Sequence, residues 1–203
     1  MKIFKLFFVT LTLLLSSSVH GQPKTRIGVE ALLNNYKISY TIDDEGLNFY
    51  CIFQARCEQG WAYRIESEWD NQFLVVDEEA GKVYFLNYQE KTGKLYTFAS
   101  RFAYRGFELP HLFIHESTDI IYDSRFKPTG ERQTIAGRPT TIYSYEYSNG
   151  SGTFWIDDKY GFSMKYVQKG YNDMLVEVTE FIDGGITMAD MVDLSEYTIT
   201  EAD

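Results

Sequence analysis

Cysteine, proline and basic residues are scarce in this chain, and each scarcity removes a class of protein. Only two cysteines occur, Cys51 and Cys57. Their spacing is wrong for a C-x-x-C redox pair, and no further cysteine exists to complete a zinc cluster. The four prolines are too few for a proline-rich linker protein. Lys and Arg total 19 against 29 Asp and Glu, a net charge of −10. That balance argues against nucleic acid or an anionic membrane surface as a direct partner. No G-x-S-x-G, phosphate-binding loop or dinucleotide fingerprint is present, and no nucleophile–base pair is visible. Metal, nucleotide and organic cofactors are therefore not expected.

The first 21 residues read as a secretion signal. Met1–Lys5 is short and basic, Leu6–Leu15 is apolar, and Ser16–Gly21 ends on small residues, with cleavage expected after Gly21. The apolar part is shorter than the roughly 20 residues needed to span a bilayer, and no second apolar run follows. The expected product is a periplasmic or secreted protein without a membrane anchor after cleavage. Residues 22–203 form a single domain in this reading.

What is abundant is aromatic. Phe, Trp and Tyr make up 17% of the chain, with 16 Tyr and 15 Phe, a composition that suits half-buried sheets. Strands are expected at Tyr36–Ile42, Leu47–Arg56, Trp61–Trp69, Phe73–Asp77, Lys82–Tyr88 and Leu95–Ala99. The 61–69 run alternates most clearly, with Trp61, Tyr63, Ile65 and Trp69 on one face. The stretch 100–117 is aromatic but lacks alternation, and reads as an irregular or partly helical excursion. Ile120–Tyr122 reads as a short edge strand and Phe126–Gly130 as a loop. Strands return at Thr140–Tyr147, Thr153–Ile156, Phe162–Val167 and Met174–Ile182. Turns are marked by Ala136–Pro139, by Asn149-Gly150 as a two-residue hairpin turn with φ > 0, and by Asp157–Gly161. Thr187 is placed to cap a short helix over Met188–Val192, before an acidic tail. An antiparallel sheet of about nine to eleven strands is too large to stay flat. The expected fold is mainly β: one large curled antiparallel sheet, or unclosed β-barrel, with a few short helical segments.

One set of features resembles a known family. In order they are Gln133–Gly137, a strand with Tyr143 and Tyr145, Gly152-Thr153-Phe154-Trp155-Ile156-Asp157, Tyr160-Gly161-Phe162-Ser163-Met164-Lys165, Glu177–Phe181 and Leu194–Tyr197. This order is similar to the periplasmic lipoprotein-carrier superfamily, closest to its uncharacterised exported members. The resemblance covers about 90 residues. It implies an unclosed antiparallel barrel with a helical lid over an apolar cavity, and an acyl chain as ligand. This chain departs from that pattern in having few convincing helices and no long N-terminal amphipathic one.

Candidate cavity residues are Trp61, Tyr63, Ile65, Trp69, Trp155, Phe162, Met164 and Tyr166, although every sheet needs an apolar face and packing of the ordinary core is the favoured reading of them. For Cys51 and Cys57 two readings stand. On one straight strand they would be about 20 Å apart, beyond the roughly 4.4–6.8 Å a disulfide spans, whereas a bend at 54–56 would bring them together. His111 and His115 with Glu116 are four apart but lack the further ligands of a metal site. The acids Asp43, Asp44, Glu45, Asp157 and Asp158 sit beside glycines and read as turn formers, not as a glycosidase pair. Asn149-Gly150-Ser151 is a formal glycosylation sequon better explained as a turn. The expected function is non-enzymatic binding of a lipid or other apolar ligand on the concave face of the sheet. The alternative is a cell-envelope protein-interaction module without a small-molecule ligand, binding a protein partner through its sheet edges or acidic surface, a reading that exposed aromatics in Phe102–Phe113 would fit. A hydrolase with a dispersed site ranks third.

Overall fold

The computed structural model of the protein describes residues 35–46, 48–68, 71–97, 125–161, 163–170 and 172–202. The described strands are β1 (Tyr36–Asp44), β2 (Asn48–Cys57), β3 (Gly60–Glu66), β4 (Asn71–Asp77), β5 (Lys82–Asn87) and β6 (Thr92–Thr97). They continue with β7 (Lys127–Ile135), β8 (Arg138–Tyr147), β9 (Gly150–Asp157), β10 (Ser163–Lys169), β11 (Met174–Asp183) and β12 (Thr198–Glu201). A single helical turn α1 (Met188–Met191) and a 3-10 turn at Leu194–Glu196 lie between the last two strands. All twelve strands form one sheet in the order β12-β6-β5-β4-β3-β2-β1-β11-β10-β9-β8-β7. The two end strands do not meet, so the sheet is unclosed, and strand twist over this width curls it.

Alternation along the strands sets up two faces. On the first, Trp61, Tyr63 and Ile65 of β3 stand opposite Val76, Leu74 and Gln72 of β4. Its centre is a cluster of Tyr36, Ile38, Tyr40, Ile52, Val176 and Val178, which Met164 and Ile135 join from the β7–β10 side. On the second face, Phe53, Ala55, Ala62, Phe73, Val75 and Leu86 form a separate cluster. It is covered by the chain after β11. Ile186 and Met191 are buried against it, and Val192, Tyr197 and Ile199 pack alongside. Each fully buried side chain of this size contributes roughly 1.5–3 kcal/mol. The covering segment is pinned at its start by Asn35. Its Nδ2 donates to Ile186 O (3.0 Å), and its Oδ1 accepts from Ile186 N (2.8 Å). In α1 the Asp190 carboxylate accepts from Thr187 N (2.8 Å) and Oγ1 (2.6 Å), fixing the turn at the residue expected to cap it.

Several sequence expectations are corrected. The sheet is mixed, because β12 runs parallel to β6 while all other pairings are antiparallel. The tail holds a strand that its acidic character hid. Phe126–Gly130 is not a loop, since β7 starts at Lys127. That strand is exposed over all but its last residue and carries Pro128, Gly130 and an irregular register, features that discourage pairing of an edge with another chain. β3 ends at Glu66 and does not reach Trp69. β6 starts at Thr92, so Thr92-Gly93 belongs to the strand.

The Asn149-Gly150 turn is shifted by one residue. Tyr147 pairs with Gly150, leaving Ser148 and Asn149 as the central residues, and neither has positive φ. Gly150 is needed for space: a Cβ there would sit 2.1 Å from Lys169 O, where the hairpin meets the end of β10. The left-handed two-residue turn lies instead at Ala136-Gly137, with φ of 46° and 77° between the paired Ile135 and Arg138.

Candidate functional site

The first face carries an open groove of about 590 Å³ near the β12 edge of the sheet. Its walls come from β3, β4, β5, β6 and β12. Strand pairing aligns Tyr63 with Leu74, Leu74 with Phe85, Phe85 with Lys94, and Lys94 with Thr200. Thus one row of side chains runs straight across five strands, from an aromatic, through two apolar groups, to a lysine and a hydroxyl. Gln72, Asn87 and Thr198 complete the rim. Phe85 is 37% exposed, unusual for so large an apolar group, and its ring meets Tyr96 edge-on at 5.3 Å. The volume is within the usual range of about 300–1,000 Å³ for small-molecule sites.

The expected cavity residues divide between core and groove. Tyr63 lines the groove. Trp61 is 1% exposed and packs with Val76 and Val83 in a small cluster against which Tyr63 and Leu74 rest. Ile65 is half-buried against the central cluster, and Met164 is wholly inside it. Trp155 is half-buried. Its Nε1 donates to Gln133 Oε1 (2.7 Å), and Lys165 Nζ lies 5.4 Å from its ring centre. Tyr166 stacks on Phe154 at 4.4 Å, and its hydroxyl donates to Gln168. Burial pushes the Tyr166 phenol up to about 12. Trp69, Phe162, His111, His115, Glu116 and the 102–113 aromatics lie outside the described residues. Of the expected residues that are described, Tyr63 lines this groove, while Trp61, Ile65 and Met164 belong to the packed clusters. The structure places Tyr63 with Leu74, Phe85, Lys94, Thr198 and Thr200, which sequence reasoning missed. A signal was present: β4 and β5 are apolar at consecutive positions, as in strands covered on both faces.

The acids behave as structural groups. Asp43 Oδ1 accepts from Gly46 N (3.0 Å) in the β1–β2 turn. Asp157 accepts from Lys159 N and Tyr160 N in the β9–β10 turn and pairs with Arg138. Asp158 accepts from Thr141 Oγ1 (2.7 Å) and Arg132. Among the described residues no group of three or more His, Cys, Asp or Glu could hold a metal ion. Cys51 and Cys57 are both free thiols on β2. The strand pairs without irregularity on both sides, so no bend brings the two together.

Burial raises the Cys51 thiol, with Glu66 adding to it and Arg64 opposing. Burial raises Tyr88 to about 12, again with Glu66 contributing. Burial and the Asp183 hydrogen bond raise Tyr160. Hydrogen bonds from Lys169 and Gly170 N lower Asp173. Each resolved shift among the described residues moves its group away from neutral pH. A general acid or base is tuned in the opposite direction.

Sequence comparison finds no matching family profile and no matching curated protein. Comparison of structures finds distant likenesses. An uncharacterized conserved protein from Thermus thermophilus aligns over 85% of this chain and 93% of its own, at 9% identity and a TM-score of 0.40. MucB aligns over 84% of this chain and 61% of its own, at 14% identity and a TM-score of 0.45. A DUF1329 family protein from Desulfovibrio piger aligns over 86% and 99%, at 8% identity and a TM-score of 0.26. At these scores the likenesses carry no argument about activity.

Proposed function

We propose that this is an exported, non-enzymatic protein that binds an apolar or amphipathic small molecule against the first face of its sheet. The observation carrying the reading is the open groove bounded by Tyr63, Leu74 and Phe85 near the β12 edge of the sheet. Apolar surface left exposed in a concave site costs free energy that a ligand recovers, at roughly 25 cal/mol per Å² covered. The shifts that are resolved among the described residues run away from neutrality, which supports a binding role over a catalytic one. Export rests on the basic-apolar-small leader of residues 1–21. Kinship with the lipoprotein-carrier superfamily rests on the order of features over 133–197, and belongs to the same proposal.

The test is direct. Protein purified from its host is examined by native mass spectrometry, then stripped and titrated with 1-dodecanol by calorimetry. The expected result is a saturable one-site isotherm that Phe85→Ser weakens by roughly tenfold, since a half-buried aromatic contact is worth about 1–1.5 kcal/mol. A stripped protein that binds no single-chain amphiphile would sink the proposal.

A further inference from the structure

Resting on that reading, we propose that the ligand of the groove is an anionic single-chain amphiphile, a fatty carboxylate, with its acidic head held by Lys94 and its chain laid over Phe85 and Leu74. The placement of Lys94 carries the idea. It sits in the cross-strand row between Phe85 on β5 and Thr200 on β12. Its side chain is exposed, and among the described residues it forms no ion pair. Nearby Lys91 differs, because its Nζ is held by Glu196 at 2.6 Å. In a chain of net charge −10, an uncompensated ammonium beside an apolar groove is a point of attraction for an anion.

The rest of the row fits the same ligand. Thr198 and Thr200 bring hydroxyl donors to the lysine's side of the groove, and Thr200 Oγ1 is only weakly engaged, at 3.4 Å from Gly93 O. A carboxylate accepts several hydrogen bonds at once, so an ammonium and neighbouring hydroxyls satisfy it together. Across the lysine, Phe85, Leu74 and Tyr63 offer a continuous apolar track along which a chain can lie. A neutral lipid would leave the ammonium without a partner. A free inorganic anion would leave the track uncovered. An amphiphile with one charged end uses both.

The experiment compares laurate with 1-dodecanol on wild-type protein, Lys94→Gln, Lys94→Arg and Lys82→Gln, by calorimetry at low and high salt. Lys82 lies at the far end of β5, paired with Asp77, and serves as a charge control away from the groove. Laurate is expected to bind wild type more tightly than dodecanol. Lys94→Gln should weaken laurate about fivefold, the upper range for a partly exposed ion pair, and leave dodecanol unchanged. Lys94→Arg should retain laurate, Lys82→Gln should have no effect, and high salt should erase the preference. If laurate and dodecanol bind wild type equally, or Lys94→Gln changes laurate affinity less than twofold, the assignment of Lys94 is overturned while the groove stands. If neither compound binds, the underlying reading fails as well.

Discussion

Removing the Asp157 carboxylate should destabilise the protein by about 3 kcal/mol, the lower part of the range for breaking a buried ion pair from one side. The side chain has no exposure, and Arg138 has 16%. Arg138 Nε donates to Oδ1 at 2.7 Å, and its terminal nitrogen donates to Oδ2 at 3.2 Å, a two-pronged contact. Asp157→Ala would strip the guanidinium of its hydrogen-bonded carboxylate, leaving Tyr160 and Phe181 flanking it at 4.9 and 4.7 Å and the more distant Asp183 charge. It would also free the Lys159 and Tyr160 amides. The lost amide bonds and the broken ion pair share one carboxylate, so their costs do not simply add. For a domain of this size such a loss lowers Tm by about 6–12 °C. Urea denaturation followed by circular dichroism measures it. Asp157→Asn keeps an acceptor for the turn and removes the charge, so it should fall between Ala and wild type. A double-mutant cycle with Arg138→Ala should give a coupling above about 1 kcal/mol. A loss under about 1 kcal/mol for Asp157→Ala, with coupling near zero, would refute the claim that this pair stabilises the β8–β9 end of the sheet.

The remaining expectations are briefer. Around Asp183 burial works upward, but hydrogen bonds from Lys159 and Tyr160 outweigh it and hold the carboxyl below the usual range. Its stabilising contribution is therefore present above the ordinary Asp value of about 3.9 and lost as pH falls through the lower folded value. Acid titration of Asp183→Asn should accordingly show a shallower loss of stability below about pH 4 than wild type. Alkylation under denaturing, non-reducing conditions should label both Cys51 and Cys57. A mass lacking both adducts would mean they are bridged. Met191→Ala removes a side chain that the covering segment buries against the second-face cluster and should cost about 2–4 kcal/mol in chemical denaturation. Gly60→Ala should cost about 1–3 kcal/mol by overpacking, because a Cβ there would sit 1.9 Å from Val76 O.

The central strands were legible because both of their faces are decided locally. In β1 the alternation of apolar and polar residues reports which side is buried, in β3 it reports the Trp61-Tyr63-Ile65 face although Ala62 is buried on the other, and the bounds of both fall within a few residues of expectation. The edges were not legible, for a physical reason. β7 buries almost nothing, so KPTGERQTI has no apolar face to show and reads like a loop. β12 owes its conformation to four residues of β6 that lie about a hundred positions earlier, and no local pattern encodes that pairing. Gly150 illustrates the same limit at smaller scale. Asn-Gly is a strong turn signal, yet here glycine is required by the approach of β10, a contact set by tertiary packing.

The groove escaped sequence reading because one wall belongs to β12. That strand is short, parallel and at the sheet edge, the weakest kind of pairing. At its two ends the pairing is closed by Thr198 N donating to Lys91 O (2.8 Å) and by Ala202 N, just past the strand, donating to Leu95 O (2.9 Å). It stays docked because Ile199 points to the second face and packs beside the covered cluster, while Thr198 and Thr200 point to the groove. The alternation of a single four-residue strand therefore couples the two faces. A ligand touching Lys94 and Thr200 binds only when β12 is in place, so by mass action it must stabilise the docked segment. Amide exchange in 198–202 should slow on ligand addition, while exchange in β1 and β11, which lie away from the groove, should not change.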